Sequence, residues 1–182
     1  MKRFTFAVAV AGIALASLPF GASAQMATVV KPVQFGIAAG AALPTSDLSD
    51  IANTGFNVTG TVAINPQLIP LGIRIDGAYN RFTFKQGVGG DVHITSVTGN
   101  LLYKIPSEAV SPYLIGGAGW YNVGGTVTGF GSGSDNHFGW NLGGGIMMPL
   151  SGFDTFIEAR YNQVQGNGGS LKYIPITFGI LF

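Results

Sequence analysis

Few side chains in this sequence are able to do chemistry, and their spacing restricts what that chemistry is. Arg74 and Asp76 are separated by one residue in Ile73-Arg74-Ile75-Asp76, as are Glu158 and Arg160 in Ile157-Glu158-Ala159-Arg160. An i, i+2 spacing puts both members of each pair on one face of an extended strand, opposite the isoleucines. If two such strands look at each other, the four residues form a neutral cluster of two carboxylates and two guanidiniums. A carboxylate held beside a guanidinium keeps its charge, which is the wrong state for a general acid. The cluster is therefore read as packing with charge compensation, and an ion path opened by its rearrangement is the alternative.

Two histidines complete the inventory. His93 lies two residues from Asp91, and His137 follows Ser134 and Asp135. A His-Asp-Ser grouping is a minimum for nucleophilic hydrolysis. However, 131–136 is a Gly/Ser/Asp stretch of the kind any loop carries, so solvated loop residues are the favoured reading. Asp47 and Asp50 are too sparse for a calcium site. The glycine runs at 116–119 and 143–145 do not open helices, as phosphate-binding loops do. No catalytic residue, cofactor or metal is assigned.

The elements that position these residues are strands. Phe56, Val58, Gly60, Val62 and Ile64 alternate with Asn57, Thr59, Thr61, Ala63 and Asn65; Ile174, Ile176, Phe178, Ile180 and Phe182 alternate with Tyr173, Pro175, Thr177, Gly179 and Leu181. One face is bulky and apolar, and the other is polar or mixed in size. Reading each run between turn signals predicts eight strands, at 33–43, 56–65, 71–84, 92–105, 112–123, 138–148, 153–165 and 171–182. Each reaches the ~9–11 residues that cross a bilayer at a tilt.

Composition explains the choice of alternation over a soluble sandwich. Charged residues are 9% of the chain, against a usual ~25%, and mean hydropathy is +0.39. Beyond residue 25 there is no continuous apolar span. Lipid admits only helices or closed barrels, because unpaired backbone groups are too costly there. The N-terminus has the layout of a secretory signal: Lys2 and Arg3, an apolar run from Phe4 to Leu18, then Ala22-Ser23-Ala24. Residues 1–24 are expected to be removed, leaving a single domain over 25–182 with seven basic and eight acidic side chains. That balance offers no basic patch for nucleic acid, and the absence of cysteine rules out disulfide staples.

The connections also alternate. Those around 65–66, 106–111 and 149–152 are short and marked by proline, whereas 44–55, 85–91, 124–137 and 166–170 are rich in Gly, Ser, Asp and Asn. Outer-membrane barrels place short turns in the periplasm and longer loops outside. An even strand count then leaves both termini in the periplasm.

Gly40 with Pro44-Thr45-Ser46-Asp47-Leu48, Pro112-Tyr113-Leu114 with Gly117 and Gly119, and the terminal Phe182 resemble the outer-membrane β-barrel family of OmpX, Ail, the opacity-type proteins and the OmpA membrane domain. The resemblance spans 25–182. It implies an all-β fold, an eight-stranded antiparallel transmembrane up-and-down barrel without an enclosed pore, with adhesive or envelope-protective roles. Phe182, with Ile180 and Phe178 on the same face, resembles the C-terminal signal read by the barrel-assembly machinery. The resemblance to OmpA is expected to stop at its membrane domain, without the peptidoglycan-binding domain that OmpA carries.

Outward positions near the outer strand ends suggest further roles. Arg81 and Lys172 would snorkel to the headgroup layer and meet lipopolysaccharide phosphates, and Trp120 and Trp140 would suit an aromatic girdle. The expected function is structural and interactive, exercised by a monomer through four loops toward an unidentified extracellular partner, with Phe130 and Val127 either an apolar contact tip of the third loop or a continuation of the hairpin above the membrane. The alternatives are a lipid A-modifying enzyme that depends on His93 or His137, and a narrow channel. Pro175, which lacks a ladder donor, is expected at a bulge or at a weakened seam.

Overall fold

The computed structural model describes residues 31–182 apart from 67–69, 86–88, 108–109, 128–130 and 167–168. The predicted signal segment and Phe130 lie outside the described residues. The chain forms β1 (Val33–Thr45), a one-turn α1 (Asp47–Ile51), β2 (Gly55–Ile64), β3 (Leu71–Thr83), β4 (Gly90–Lys104), β5 (Ser111–Val127), β6 (Gly131–Pro149), β7 (Asp154–Gly166) and β8 (Gly169–Leu181). Each strand pairs antiparallel with the next, and β8 pairs with β1, closing an eight-stranded up-and-down barrel.

Closure fixes the geometry. Partners followed around the wall from Phe35 run through Val62, Ile75, Gly99, Ala118, Trp140, Gln163 and Lys172. The path returns to β1 at Thr45, ten residues beyond its start. For eight strands with a stagger of ten, strand rise and spacing give a tilt of about 40°.

The alternation is inside out for a soluble protein. Trp120 is 71% exposed, Ile37 65%, and Phe35 and Leu101 62% each, while the positions between outward neighbours are buried. A continuous belt of this kind is matched by lipid, not water. Phe178, Ile157, Leu142 and Ile75 belong to the same belt.

The lumen is a layered core. Toward the termini, Leu102, Tyr113, Ile115, Met147, Phe156 and Leu181 pack together. Below them a polar relay crosses the opening: Lys104 donates to Asn65 (2.9 Å), Asn65 to Gln34 (2.8 Å) and Gln34 to Asp154 (2.6 Å). At the other end Leu48 of α1 is driven into Ala42, Phe82, Ile94, Tyr121 and Tyr173. Charged and amide side chains fill the middle.

Two connections differ from the expectation. The segment 44–55 contains α1, which turns inward because Leu48 finds an apolar floor inside the barrel. The predicted loop at 124–137 is mostly ladder: β5 and β6 stay in register up to Val127↔Gly131. Gly and Ser carry no hydrophobic contrast, so period two was invisible there, yet the backbone pairs regardless. Pro175 sits at no bulge. The β7–β8 register is the same at Ala159↔Ile176 and Asn162↔Tyr173, with pairing interrupted only at the two positions between. Pro175 lacks the N–H that the ladder would use there.

A closed ladder resists detergent at room temperature. The purified protein is expected to change its mobility on detergent gels only after boiling; an identical position with and without boiling would contradict closure.

Candidate functional site

The two charged pairs project into the lumen from strands that are four apart in the ring, so they face each other across it. Arg74 Nη2 donates to both carboxylate oxygens of Glu158 at 2.8 Å, and Arg74 Nε donates to Asp76 Oδ2 at 3.1 Å. Arg160 closes the ring, with Nη1 2.8 Å from Asp76 Oδ2 and Nε 2.6 Å from Glu158 Oε1. The side chains of Arg74, Asp76 and Glu158 are at most 2% exposed, and that of Arg160 is 11% exposed.

The supporting groups were not among the sequence candidates. Tyr113 Oη donates to Glu158 Oε2 at 2.8 Å, and Asn100 Nδ2 donates to Asp76 Oδ2 at 3.0 Å. Asn141 in turn donates to Asn100 Oδ1 at 2.9 Å. The Arg74 guanidinium lies 5.5 Å from the Phe156 ring centroid, a cation–π distance. Alternation alone marks Tyr113 and Asn100 as inward. The height of Asn100 against Asp76 comes from the β3–β4 register, and that of Tyr113 against Glu158 from the registers that link β5, β6 and β7.

Glycine makes the room. A Cβ at Gly143 would fall 2.6 Å from Arg160 Cγ and 2.2 Å from the Ala159 carbonyl oxygen; one at Gly145 would fall 2.6 Å from Tyr113 Oη. The run at 143–145 thus lets Arg160 and Tyr113 cross to Glu158. The space left beside the cluster is about 20 Å³, roughly what one water needs.

The other candidates are scattered. Arg81 faces outward on β3 and pairs with Asp91 Oδ1 at 3.1 Å. Asp91 Oδ2 lies 3.7 Å from His93 Nδ1, and the His93 ring stacks on Tyr79 at 6.4 Å. Lys172 is half-buried on β8, separated from β3 by β1 and β2. His137 lies on the lumen-facing side of β6 with Asp135, whereas strand alternation turns Ser134 to the other face. Neither histidine therefore sits in a His-Asp-Ser constellation. No group of three or more metal-ligating side chains occurs among the described residues.

Phe182 is outward and 57% exposed. Its N–H donates to the Phe35 carbonyl at 2.7 Å, and its ring lies 6.3 Å from that of Phe153. Phe178 shares the outward face and Ile180 is half-buried on it. Trp120 and Trp140 are outward near the loop end, with Trp140 5.6 Å from Tyr161.

The cluster behaves as a unit, since removing one member leaves a buried charge uncompensated. Glu158→Ala is expected to lower unfolding free energy by about 3–5 kcal/mol, whereas replacing all four charges with apolar residues of similar volume should cost far less. Urea unfolding of both variants in lipid vesicles checks this. Gly143→Val should be destabilising by a different route, the displacement of Arg160, and should cost at least ~1–3 kcal/mol in the same assay.

Comparison with known proteins agrees with this architecture. The neisserial surface protein A structure has a TM-score of 0.66 at 18% identity, over 83% of this chain and 96% of that one. A major outer membrane protein from Thermus thermophilus gives 0.57 at 13% identity, over 84% and 99%. Ail, the attachment invasion locus protein of Yersinia pestis, gives 0.51 at 22%, over 84% and 100%. No curated protein matches the sequence. The family model for the outer membrane protein beta-barrel domain matches residues 12–181, so the chain belongs to the outer-membrane β-barrel family and resides in the bacterial outer membrane.

Proposed function

We infer that this barrel acts through its outer surface and loops, as an adhesive or envelope-supporting protein, and not through its lumen. The observation that carries the reading is the three-layer filling: apolar floor, compensated charge ring and an apolar roof sealed by Leu48. A lumen occupied in this way has little room to conduct through, and the four charges compensate one another with help from Tyr113 and Asn100. The loop end extends its residues elsewhere, in a β5–β6 hairpin whose strands run 17 and 19 residues. With the usual orientation, short turns face the periplasm and this hairpin faces outward.

Lipid contact belongs to the same reading. The exposed apolar belt is matched to the hydrocarbon layer. In this reading Arg81, half-exposed at the loop end beside Asp91, and Lys172 would meet lipopolysaccharide phosphates. The exposed Phe182 face, with Phe178 and Ile180, is the surface offered to the assembly machinery. Ail was also solved in complex with the heparin analogue sucrose octasulfate; a polyanion of that kind is one ligand to try. Among the described residues neither histidine sits in a His-Asp-Ser grouping, and the barrel is taken to work as a monomer.

Surface labelling and two negative assays test this. An epitope inserted at Gly133 should be labelled on intact cells, and one at Gly152 only after permeabilisation. Planar bilayers should show no discrete conductance steps with the parent protein, and deletion of the gene should leave lipid A mass unchanged. Steps that vanish in Glu158→Gln would instead establish a channel, and a changed lipid A mass that His93→Ala or His137→Ala reproduces would establish an enzyme.

A further inference from the structure

Arg81, Asp91 and His93 form a charged group on the outer wall near the loop end. Asp91 and His93 stand two apart at the start of β4 and therefore share its outward face. Arg81 of β3 is the register partner of His93. Asp91 lies between the two: its Oδ1 accepts from Arg81 Nη2 at 3.1 Å, and its Oδ2 lies 3.7 Å from His93 Nδ1. The carboxylate thus turns one oxygen to each neighbour.

The imidazole is held from both sides. Its ring stacks on Tyr79 with centroids 6.4 Å apart and planes 22° from parallel, and Tyr79 in turn lies 6.0 Å from Phe56. On β5 its register partner is Gly124, where a Cβ would collide with His93 Nε2. The outward residues of β5 beside it are Asn122, Gly124 and Thr126, and β2 contributes Phe56, so neither strand brings a charge. Lys85 turns to α1, its Nζ donating to the Ser49 carbonyl at 2.5 Å. Among the described residues, the charge here is set by Arg81, Asp91 and His93 together.

The wall changes character at this height. Toward the membrane the next outward residues are Tyr79, Val58, Val97 and Trp120, and toward the loops they are Thr83, Thr126 and Ser132. An aromatic girdle marks the headgroup layer of an outer-membrane barrel. The group is therefore level with lipid phosphates. The side chains of Arg81 and His93 are 49% and 30% exposed and that of Asp91 only 16%, so an anion meets the bases before the acid.

With a neutral imidazole the three charges sum to zero, and with a protonated one they sum to +1. Histidine ordinarily changes charge between pH 5 and 8, whereas carboxylates and guanidiniums keep theirs. We propose that Arg81, Asp91 and His93 form a proton-dependent site for the phosphate of an outer-leaflet lipid, occupied in acid and released toward neutrality. Near neutrality Asp91 offsets Arg81. In acid His93 offsets Asp91, and Arg81 is left with a net charge to offer. This rests on the contact between Arg81 and lipid phosphates proposed above.

The test uses the full barrel in phosphatidylcholine vesicles containing phosphatidylglycerol, whose phosphodiester keeps its negative charge throughout this range. Trp120 lies two outward positions below His93 on the neighbouring strand, and in a Trp140→Phe background it is the only tryptophan. Its quenching by brominated phosphatidylglycerol, relative to brominated phosphatidylcholine, reports which lipid occupies the group. The preference for phosphatidylglycerol should be about fivefold higher at pH 5.5 than at pH 8, the size of one exposed ion pair. His93→Gln should remove this step, whereas His137→Gln, which alters the lumen-facing histidine, should keep it. Asp91→Asn should raise the preference at pH 8 to the level that the parent reaches in acid. No step in the parent, or a step that survives His93→Gln, overturns the proposal. So does loss of the preference on adding sodium sulfate at constant ionic strength, which would assign the site to anions from solution. A preference constant with pH yet removed by Arg81→Gln leaves the lipid contact of Arg81 standing; no preference at either pH removes both.

Discussion

In the hydrocarbon layer a backbone N–H or C=O without a partner costs several kcal/mol. The pairing of β8 with β1, from Gly36↔Leu181 to Thr45↔Lys172, meets that demand by leaving the ring without an edge strand. Most other features follow from this closure. It fixes the ten-residue stagger, sets the strand tilt and produces an interior narrow enough for side chains to fill. It also explains why the break opposite Pro175 is confined to two positions. Register is held on both sides by neighbours that cannot move apart.

A closed narrow lumen has to be filled, and the filling here is partly ionic. Four charged groups placed in water-poor surroundings would be prohibitive singly. Arranged as alternating guanidinium and carboxylate, with Tyr113 and Asn100 occupying remaining lone pairs, they compensate one another. Such a ring contributes little net stability over an apolar core, yet it cannot lose one member without penalty. Apolar layers lie on either side of it. That filling is what the proposed surface role rests on; at the loop end backbone pairing no longer has to be complete because water is available.

The strands and their faces were legible from alternation, since period two with a bulky apolar side is hard to mimic. Arg74, Asp76, Glu158 and Arg160 were placed on inward faces for the same reason. What sequence reading missed has a physical cause in each case. The upper part of the β5–β6 hairpin has no hydrophobic contrast to read. Leu48 looked like a loop residue because its burial depends on an apolar floor made by β1, β3, β4, β5, β7 and β8. Arg81 was given to lipid phosphates alone, and its partner Asp91 lies on the neighbouring strand at the same face.

Low charge, alternation and the even number of runs determine by themselves a transmembrane barrel, because each is a local property of the chain that lipid selects directly. Relative heights belong to the tertiary structure. Tyr113 reaches Glu158, Gly143 lies under Arg160, and β6 outruns β7 only once the stagger has accumulated around the ring. A one-residue change of register at any seam would turn one strand's inward set outward. The local pattern excludes such slips seam by seam, but the vertical offset between strands is settled only when all eight pairings close at once.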